Sequence, residues 1–418
     1  MTPYFYNDSM HSNKLPKSLL ERMQSLDLIR GKKSDKTVCF CGIIIIKKEI
    51  HLFLPRSISL DNKDLKAKKK LAANFIQSIE KYGKQSKTKV DLQDDGEGRI
   101  GLIQLSLIKT LLKDYQDYGL YVQRQESQVT NAGKTNWAKT IKKIPISLNK
   151  KKQVVYLKLY GNKYQFLTGN IVSQIHADII RELNKKYSWL FFNKNEFNTN
   201  GLNNISSLNK NTDHKLSILN SELSNSYSER DINLIKNMIN YLKNISGDDT
   251  SELIAGVTKF HHAWEHMLKK ILANTIDINS KLPIPIFTKQ NDEIIKISQK
   301  GMKTDIVIED KKEQIITVVD AKYYEAQNVN TMPSWPDIVK QFFYIKALKT
   351  IYPSDYQFKN IFIFPGENKI FKQINMGLKD QEYILLDEDF PPIICKYICP
   401  IIVIDYFVKN KTVDLIDL

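Results

Sequence analysis

Two carboxylates and a lysine lie near residue 320, in a segment whose pattern predicts two adjacent β-strands. The segment, KTDIVIEDKKEQIITVVDAKYY, spans residues 303–324. Its two apolar runs are joined by the polar stretch EDKKE, which is typical of a hairpin turn. Because side chains alternate between the two faces of a strand, Asp320 and Lys322 project on the same side. Asp305 begins the neighbouring strand and can approach them.

Such a set of side chains can hydrolyse a phosphodiester bond. Carboxylates bind Mg²⁺, a hard cation that prefers oxygen ligands, and the metal activates a water molecule and stabilises the transition state. A nearby lysine orients that water or neutralises the phosphate. A third carboxylate often comes from a helix, and Glu265 in KFHHAWEHMLKKIL is the candidate here. Glu252, on the same predicted helical stretch, is the alternative.

Histidines and cysteines do not form a clear second site. His261 and His262 precede Glu265 and suggest a metal cluster or a general base, but without a clear third ligand we expect ordinary surface or core histidines. The four cysteines form two pairs, Cys39/Cys41 and Cys395/Cys399. Neither pair has the two-residue gap of a zinc site, so we expect buried, reduced thiols.

The composition indicates a folded protein with a polyanionic partner. The chain has 418 residues, of which 42% are hydrophobic, and a formal net charge of +16. This length allows two or three domains. The charge suits nucleic acid first, although charge alone does not separate DNA from RNA or from an anionic membrane surface. Because the opening stretch is polar and the apolar runs at 41–46 and 391–408 are too short or interrupted, we expect a cytoplasmic protein without a membrane span.

The elements expected to position the site follow an α/β order. Helices are predicted near 230–245 and 250–273, strands at 304–308 and 314–323, a helix at 335–349, and strands at 360–364 and near 400–407. Helix, hairpin, helix and strand in this order are typical of a mixed sheet flanked by helices. We therefore predict an α/β domain at residues 250–418.

Residues 1–170 are expected to form a basic α+β region that contacts a partner or DNA. The patterns there predict a helix at KSLLERMQSLDLI, strands at TVCFCGIIII and EIHLFLPR, and helices at 61–83 and 100–119. Residues 131–163 contain nine lysines and no acidic residue, interleaved with Trp137, Tyr156 and Tyr160. We expect Trp137 to lie in the core or in a subunit contact rather than to stack on a base.

Residues 171–249 are interpreted as a helical connection between these two regions. A helix is predicted at 171–190. The following stretch, 193–227, is rich in Asn and Ser and predicts an exposed linker, with room for a short helix from Leu216 to Leu223.

The acid and lysine pattern resembles the PD-(D/E)XK nuclease superfamily. Asp305 matches its first acid, with Thr304 in place of the nominal proline, and Asp320-Ala321-Lys322 matches the (D/E)XK element. The resemblance implies a nuclease core in the C-terminal domain and a supporting role for Gln341 in the next helix. It implies Mg²⁺ as cofactor, with these ligands: Asp305, Asp320, the Ala321 carbonyl and Glu265. Lys322 would position the attacking water.

More narrowly, the chain resembles the LlaJI-type restriction endonuclease family and the related McrC nuclease subunits. The resemblance covers the nuclease core at 250–365 and the stretch GKTNWAKTI at 133–141, which is similar to a G-x-x-(N/D)-W-x-(K/R)-T-I element of that family. It implies a restriction endonuclease subunit that cuts double-stranded DNA together with an McrB-like GTPase motor. The sequence contains no Walker A motif, G-x-x-x-x-G-K-[ST], so the partner would bind the GTP.

Two other functions remain open at this point. One is a self-sufficient type II restriction endonuclease that reads its own site with the basic N-terminal region. The other is a non-catalytic adaptor, a degenerate nuclease fold that stimulates the motor. The retained set of Asp305, Asp320 and Lys322 argues against the adaptor.

Overall fold

The chain divides into two units. The computed structural model describes residues 3–32, 35–46, 49–61, 63–85, 98–167, 169–192, 197–244, 252–297, 301–328, 331–379 and 384–418, without the side chains of 124–129 and 162–167. The first unit, here the discontinuous unit, combines Met1–Leu105 with Glu252–Leu418, and the central unit is Ser106–Ser251. The predicted boundary at residue 170 falls inside the central unit, and the one at 249/250 lies outside the described residues.

The strands have the following bounds in the described residues: β1 Tyr4–Asn7, β2 Ile29–Arg30, β3 Thr37–Val38, β4 Cys41–Ile46, β5 Glu49–Leu54, β6 Arg99–Ile100, β7 Gln123–Thr130, β8 Lys134–Thr135, β9 Ser147–Leu148, β10 Val154–Val155, β11 Tyr160–Leu167, β12 Leu253–Val257, β13 Thr275–Ile276, β14 Ile286–Thr288, β15 Ile294–Lys296, β16 Ile306–Asp310, β17 Ile315–Ala321, β18 Gln357–Pro365, β19 Gln373–Ile374 and β20 Ile393–Ile398.

The α-helices have these bounds: α1 Lys17–Ser25, α2 Leu65–Gln85, α3 Leu102–Tyr118, α4 Trp137–Lys143, α5 Ile171–Phe191, α6 Asn200–Asn203, α7 Thr212–Asn225, α8 Glu229–Asn244, α9 Phe260–Ile271, α10 Trp335–Leu348 and α11 Pro400–Lys409. Among the described helices, none combines the length and the apolar character that a membrane span requires.

Both sequence segments of the discontinuous unit contribute strands to its first sheet. Its strands run in the order β1-β5-β4-β12-β6, and β12 pairs antiparallel with β4. Every residue of β4 is buried, as expected for a central strand with both faces covered. Gly42 and Gly256 face each other across this pair, and a Cβ atom on Gly256 would lie 2.6 Å from Phe40 Cζ. The absence of side chains at this pair therefore lets the Phe40 ring cover the sheet.

The second sheet of the discontinuous unit is mixed and carries the predicted hairpin. Its strands run in the order β13-β16-β17-β18-β20-β19. β16 and β17 are antiparallel, whereas β18 is parallel to both β17 and β20. The crossover from β17 to β18 contains α10, which packs Ile345 and Leu348 against Ile316 and Val318 of β17. The predicted mixed α/β class is confirmed.

The predicted strand near 400–407 is wrong, because these residues form α11. Its apolar residues are rich in Ile and Val, which favour strands locally. However, Pro400 suits the first turn of a helix, and the buried positions Pro400, Val403, Ile404 and Phe407 have helical spacing. Packing of this face against α2 and α9 outweighs the strand propensity.

The predicted helix at 250–273 is partly wrong. Residues 250 and 251 lie outside the described residues, Leu253–Val257 form β12, and the helix, α9, begins at Phe260. A short window of sequence could not reveal the strand, because its pairing partner, β4, lies about 200 residues earlier in the chain. The strands and helices predicted at 304–308, 314–323, 335–349 and 360–364 are confirmed within a few residues.

The central unit contains a three-stranded antiparallel sheet, β7-β11-β8, and the hairpin β9–β10. The predicted linker at 193–227 holds more regular structure than expected, since α6 and α7 lie within it, and α7 includes the expected helix from Leu216 to Leu223. Its residues 193–196 lie outside the described residues. Trp137 is 56% exposed, so its expected placement in the core is wrong, and the expected subunit contact stays a prediction.

Candidate active site

The hairpin β16–β17 brings Asp305 beside Asp320. Its register pairs Ile306 with Val319, which places the preceding Asp305 opposite Asp320. The Asp305 carboxylate accepts a hydrogen bond from the Ala321 backbone N–H, with Oδ2 3.1 Å from the nitrogen. The structure thus brings together the two acids that the sequence places at the ends of adjoining strands.

Lys322 leaves the end of β17 and turns back toward Asp320. Its backbone N–H still donates to Ile363 O of β18, at 2.9 Å, which holds the residue in line with the sheet. Its Nζ lies 2.9 Å from Asp320 Oδ2 and 2.7 Å from Asp337 Oδ1. Burial disfavours the charge, but the two carboxylates more than compensate and raise the pKa of Lys322. The lysine is therefore a permanent cation within the site.

Gln341 reaches the site from the second turn of α10. Its side chain is fully buried, and Nε2 donates to Asp320 Oδ2 at 3.1 Å. Asn360 of β18 fixes this part of the helix by donating to Gln341 O at 3.3 Å. Gln341 Oε1 is buried and has no hydrogen-bond partner among the described residues. The amide therefore orients the Asp320 carboxylate and retains one free acceptor.

Glu265 completes the acidic cluster from α9. Burial, and after it the charge of Asp320, raises the pKa of Glu265 to about 7. Burial also raises the pKa of Asp305, and the nearby charges of Asp320 and Glu265 add to the effect. Glu252, the alternative acid, instead pairs with Arg22, whose Nε lies 2.7 Å from Glu252 Oε2. Of the two candidates on this stretch, only Glu265 belongs to the acidic cluster.

The cluster lines a cavity of about 430 Å³, together with a group of basic side chains. The acids are Glu265, Asp305 and Asp320. The basic residues are Arg56, His261, Lys303, Lys322 and Lys340. Tyr344 closes one wall, and its hydroxyl donates to Lys303 O at 2.6 Å. A cavity with acids beside cations suits an anionic substrate that reacts at a metal ion.

The donor set fits a divalent cation that keeps some of its water. Burial and the neighbouring carboxylates raise the pKa values of Asp305 and Glu265, which indicates too little positive charge beside them, and a bound cation would supply it. Within the part of the chain that the structure describes, however, no three His, Cys, Asp or Glu side chains lie close enough to hold a metal ion directly. Asp305 and Asp320 are the near pair, so Glu265 would act through a metal-bound water, as Mg²⁺ sites allow.

The histidines and cysteines add no further metal site to the described residues. The rings of His261 and His262 lie 4.1 Å apart, both half-buried, and burial followed by the charge of His262 lowers the pKa of His261 to about 4. The four cysteines are free; Cys41 is buried as expected, whereas the other three are half-buried, so the expected burial is wrong for those three.

Asp337 and Arg56 are among the residues of this site that the sequence pattern did not single out. Asp337 had a local signal, since it lies one helical turn before Gln341 and so on the same face of the helix. Arg56 had none, because it follows a strand of the other sheet and meets the cavity only through the tertiary fold.

The fold and the site define a mixed α/β protein with an acidic, lysine-containing cavity at the end of a strand. The chain belongs to the LlaJI restriction endonuclease family, whose model matches residues 40–398. The resemblance to this family that the sequence indicated is confirmed. The GKTNWAKTI stretch and every candidate site residue lie within the matched range.

Similarity to individual proteins is more distant. The "Type II restriction enzyme BsuMI component YdjA" of Bacillus subtilis (strain 168) is 26% identical over 211 residues, which cover 48% of this chain and 44% of the relative. The match thus spans less than half the length of that relative. Two solved structures are similar over larger shares of the chain, at low scores. A chain of the assembly of Thermococcus gammatolerans McrB AAA+ hexamers with bound McrC has a TM-score of 0.42 and 12% identity, and the match covers 98% of each chain. A chain of the McrBC complex of the same organism has a TM-score of 0.29 and 13% identity, and the match covers 62% of this chain and 73% of that one.

Proposed function

We propose that this chain is the Mg²⁺-dependent DNA endonuclease subunit of a restriction system, with a nuclease core of the PD-(D/E)XK kind. The observation that carries the proposal is the convergence of Asp305, Asp320 and Lys322 at the end of one hairpin, with Gln341 bonded to Asp320. Membership of a restriction endonuclease family supports the substrate, double-stranded DNA.

Each residue of the site would have a separate role in phosphodiester hydrolysis. Asp305, Asp320 and the Ala321 carbonyl would hold Mg²⁺, and Glu265 would hold one of its waters. When bound, Mg²⁺ lowers the pKa of a water and neutralises charge on the phosphate. Lys322 orients the attacking water toward phosphorus. The attacking water gives a proton to solvent as its oxygen bonds to phosphorus, the bond from phosphorus to the leaving sugar oxygen breaks, and that oxygen takes up a proton from solvent. Gln341 keeps Asp320 in position.

We propose an McrB-like GTPase motor as the partner. The sequence resembles the McrC subunits, and it lacks a Walker A motif for nucleotide binding of its own. A surface that suits a protein partner lies in the central unit, on α4 and the β9–β10 hairpin. It is basic, and its exposed apolar side chains include Trp137, Ile141, Leu148, Val154 and Leu157. Exposed apolar groups among lysines fit a partner with an acidic and partly apolar face.

The test is cleavage of plasmid DNA by the purified chain together with an McrB-like GTPase from the same genome, GTP and Mg²⁺. We expect Asp320→Asn and Lys322→Ala each to lower the cleavage rate by at least about 100-fold, the scale of losing a group that acts in the transition state. Glu252→Gln is the matched control, because it removes a carboxylate that pairs with Arg22 outside the cavity. Melting temperatures establish that the variants fold.

Three outcomes separate the competing functions. Cleavage by the chain alone, without motor or GTP, would indicate a self-sufficient type II enzyme. Faster GTP hydrolysis by the motor, with no cleavage under any condition, would indicate a non-catalytic adaptor. Undiminished cleavage by the Asp320 or Lys322 variant would overturn the assignment of the site.

A further inference from the structure

Arg56 lines the same cavity as Asp305 and Asp320, although it comes from the other sheet of the discontinuous unit. It follows β5 after a single proline. Its side chain is 39% exposed, and one carboxylate of the described residues lies within 4 Å of it: Asp8 Oδ1, 3.7 Å from Nε. No hydrogen bond among the described residues uses the two terminal nitrogens of Arg56. The forked end of the guanidinium is therefore available to a ligand in the cavity.

Contacts with Tyr323, the residue next to Lys322, hold Arg56 in place. The Arg56 backbone N–H donates to the Tyr323 hydroxyl at 3.3 Å, and that hydroxyl donates to Asp8 Oδ2 at 3.2 Å. The guanidinium carbon lies 5.0 Å from the centre of the Tyr323 ring, a cation–π contact. Asp8 and Tyr323 are both buried. Arg56 thus rests on a rigid support beside the strand that carries Asp320.

The lysines of the cavity differ in how closely carboxylates neutralise their charge. Lys322 is engaged by both Asp320 and Asp337. Lys303 and Lys340 are exposed, and neither has a carboxylate within 4 Å among the residues that the structure describes. Arg56 and these two lysines therefore line the cavity with hydrogen-bond donors that no carboxylate of the described residues uses fully. Such a group of cations suits a polyanion that extends past the acidic cluster.

We propose that Arg56 is a substrate-contacting residue, which binds a backbone phosphate of the DNA strand beside the one that is cut. The inference rests on the proposed nuclease function. A guanidinium suits this task because its planar fork donates two parallel hydrogen bonds to phosphate oxygens. It follows that the N-terminal part of the chain completes the nuclease site, and that residues 250–418 alone lack one of its phosphate contacts.

The test measures binding of a short fluorescent DNA duplex to the full chain, with Ca²⁺ in place of Mg²⁺ to hold cleavage back. We expect Arg56→Gln to weaken binding about tenfold and to reduce the slope of log K against log salt concentration by about 0.9, the value for one phosphate contact. Arg56→Lys keeps the charge and should keep the slope, but it should bind more weakly than the unaltered chain because lysine has no fork.

Arg22→Gln is the matched control. It also removes one arginine charge from the discontinuous unit, at a side chain that is 42% exposed and paired with Glu252. An equal loss of affinity and slope in this variant would overturn the inference, as would unchanged binding by Arg56→Gln, or no measurable binding by the unaltered chain. If Arg56→Gln does not fold, identical binding by Arg56→Lys and the unaltered chain would overturn it.

The two proposals fail in different ways. DNA binding that depends on Arg56, without cleavage under any condition, would leave the phosphate contact standing and remove the nuclease function. Cleavage and binding that are both unaffected by Arg56→Gln would remove only the role of Arg56.

Discussion

Lys322 is held between Asp320 and Asp337, with its Nζ 2.7 Å from Asp337 Oδ1. Asp337 lies in the first turn of α10, and its second oxygen, Oδ2, accepts from the Ser334 hydroxyl at 2.6 Å and from the Ser334 backbone N–H at 3.2 Å. One carboxylate thus caps the helix that carries Gln341 and positions the lysine of the candidate active site. Burial alone would raise the pKa of Asp337, but the hydrogen bond from Lys322 lowers it below the ordinary value.

We expect Asp337→Asn to lower DNA cleavage by about tenfold, because the amide has one oxygen acceptor for two partners and no charge to hold Lys322. The measurement is the cleavage rate at saturating DNA. Ser334→Ala is the control, since it weakens only the cap. It should lower the free energy of unfolding by about 1 kcal/mol and leave the cleavage rate unchanged. Equal rates for Asp337→Asn and the unaltered chain would contradict a positioning role.

Binding of Mg²⁺ should be coupled to release of protons. The pKa values of Asp305 and Glu265 are raised, the latter to about 7, so the metal-free site retains protons near neutral pH. A carboxyl with a raised pKa stabilises the fold at low pH, and this contribution is lost as the pH rises through the folded-state pKa. A cation must displace the protons, so it binds more tightly as the pH rises.

We therefore expect Mg²⁺ to raise the melting temperature more at pH 8 than at pH 6, with a larger apparent affinity by calorimetry at the higher pH. Asp305→Asn should remove most of this difference, because it removes one ligand and one titrating group. A Mg²⁺ affinity that is the same at pH 6 and pH 8 would refute the coupling between metal binding and proton release.

The central unit should lose stability in mild acid because of His176. This side chain is fully buried, and burial, followed by the charge of Arg230, lowers its pKa to about 3. Its Nδ1 accepts from the Tyr121 backbone N–H at 3.0 Å, which requires the neutral ring. A depressed histidine pKa gives stability that is complete above the unfolded pKa, near 6.5, and that is lost as the pH falls toward about 3.

The expected slope is at most about 1.4 kcal/mol per pH unit below pH 6.5. Hydrogen exchange of peptides from α5, followed by mass spectrometry across this range, measures it. His176→Gln should be less stable at pH 7 and should show a shallower decline on acidification. A decline as steep as that of the unaltered chain would mean that other groups cause it.

The pairing of β4 with β12 should depend on the absence of side chains at Gly42 and Gly256. A Cβ atom on Gly256 would lie 2.3 Å from Cys41 O and 2.6 Å from Phe40 Cζ. We expect Gly256→Ala to lower the free energy of unfolding by about 3 kcal/mol, because neither the backbone oxygen nor the buried ring can move freely. Denaturant titration provides the measurement. Gly201→Ala is the control, since its Cβ atom would meet only the Tyr115 hydroxyl at 3.4 Å, and a similar loss in both variants would contradict the packing argument.

Local sequence patterns were enough to predict the hairpin and the acids and lysine at its ends. The alternation of apolar residues and the turn EDKKE locate β16 and β17, and the period of two places Asp320 and Lys322 on one side. The same local rules locate α10 and the strand that follows it. These elements can be predicted because they depend on residues that are only a few positions apart in the sequence.

Which distant residues share the site depends on the folded chain and could not be predicted from local patterns. The approach of Arg56 to the cavity depends on the contact of the first sheet with Tyr323, and the strand at 253–257 exists because β4 offers it an unpaired edge. The helix at 400–409 likewise results from packing against two other helices, which outweighs the strand preference of its own residues. Contacts between residues far apart in sequence produce no periodic pattern within a short stretch of sequence. They can therefore be identified only in the folded chain.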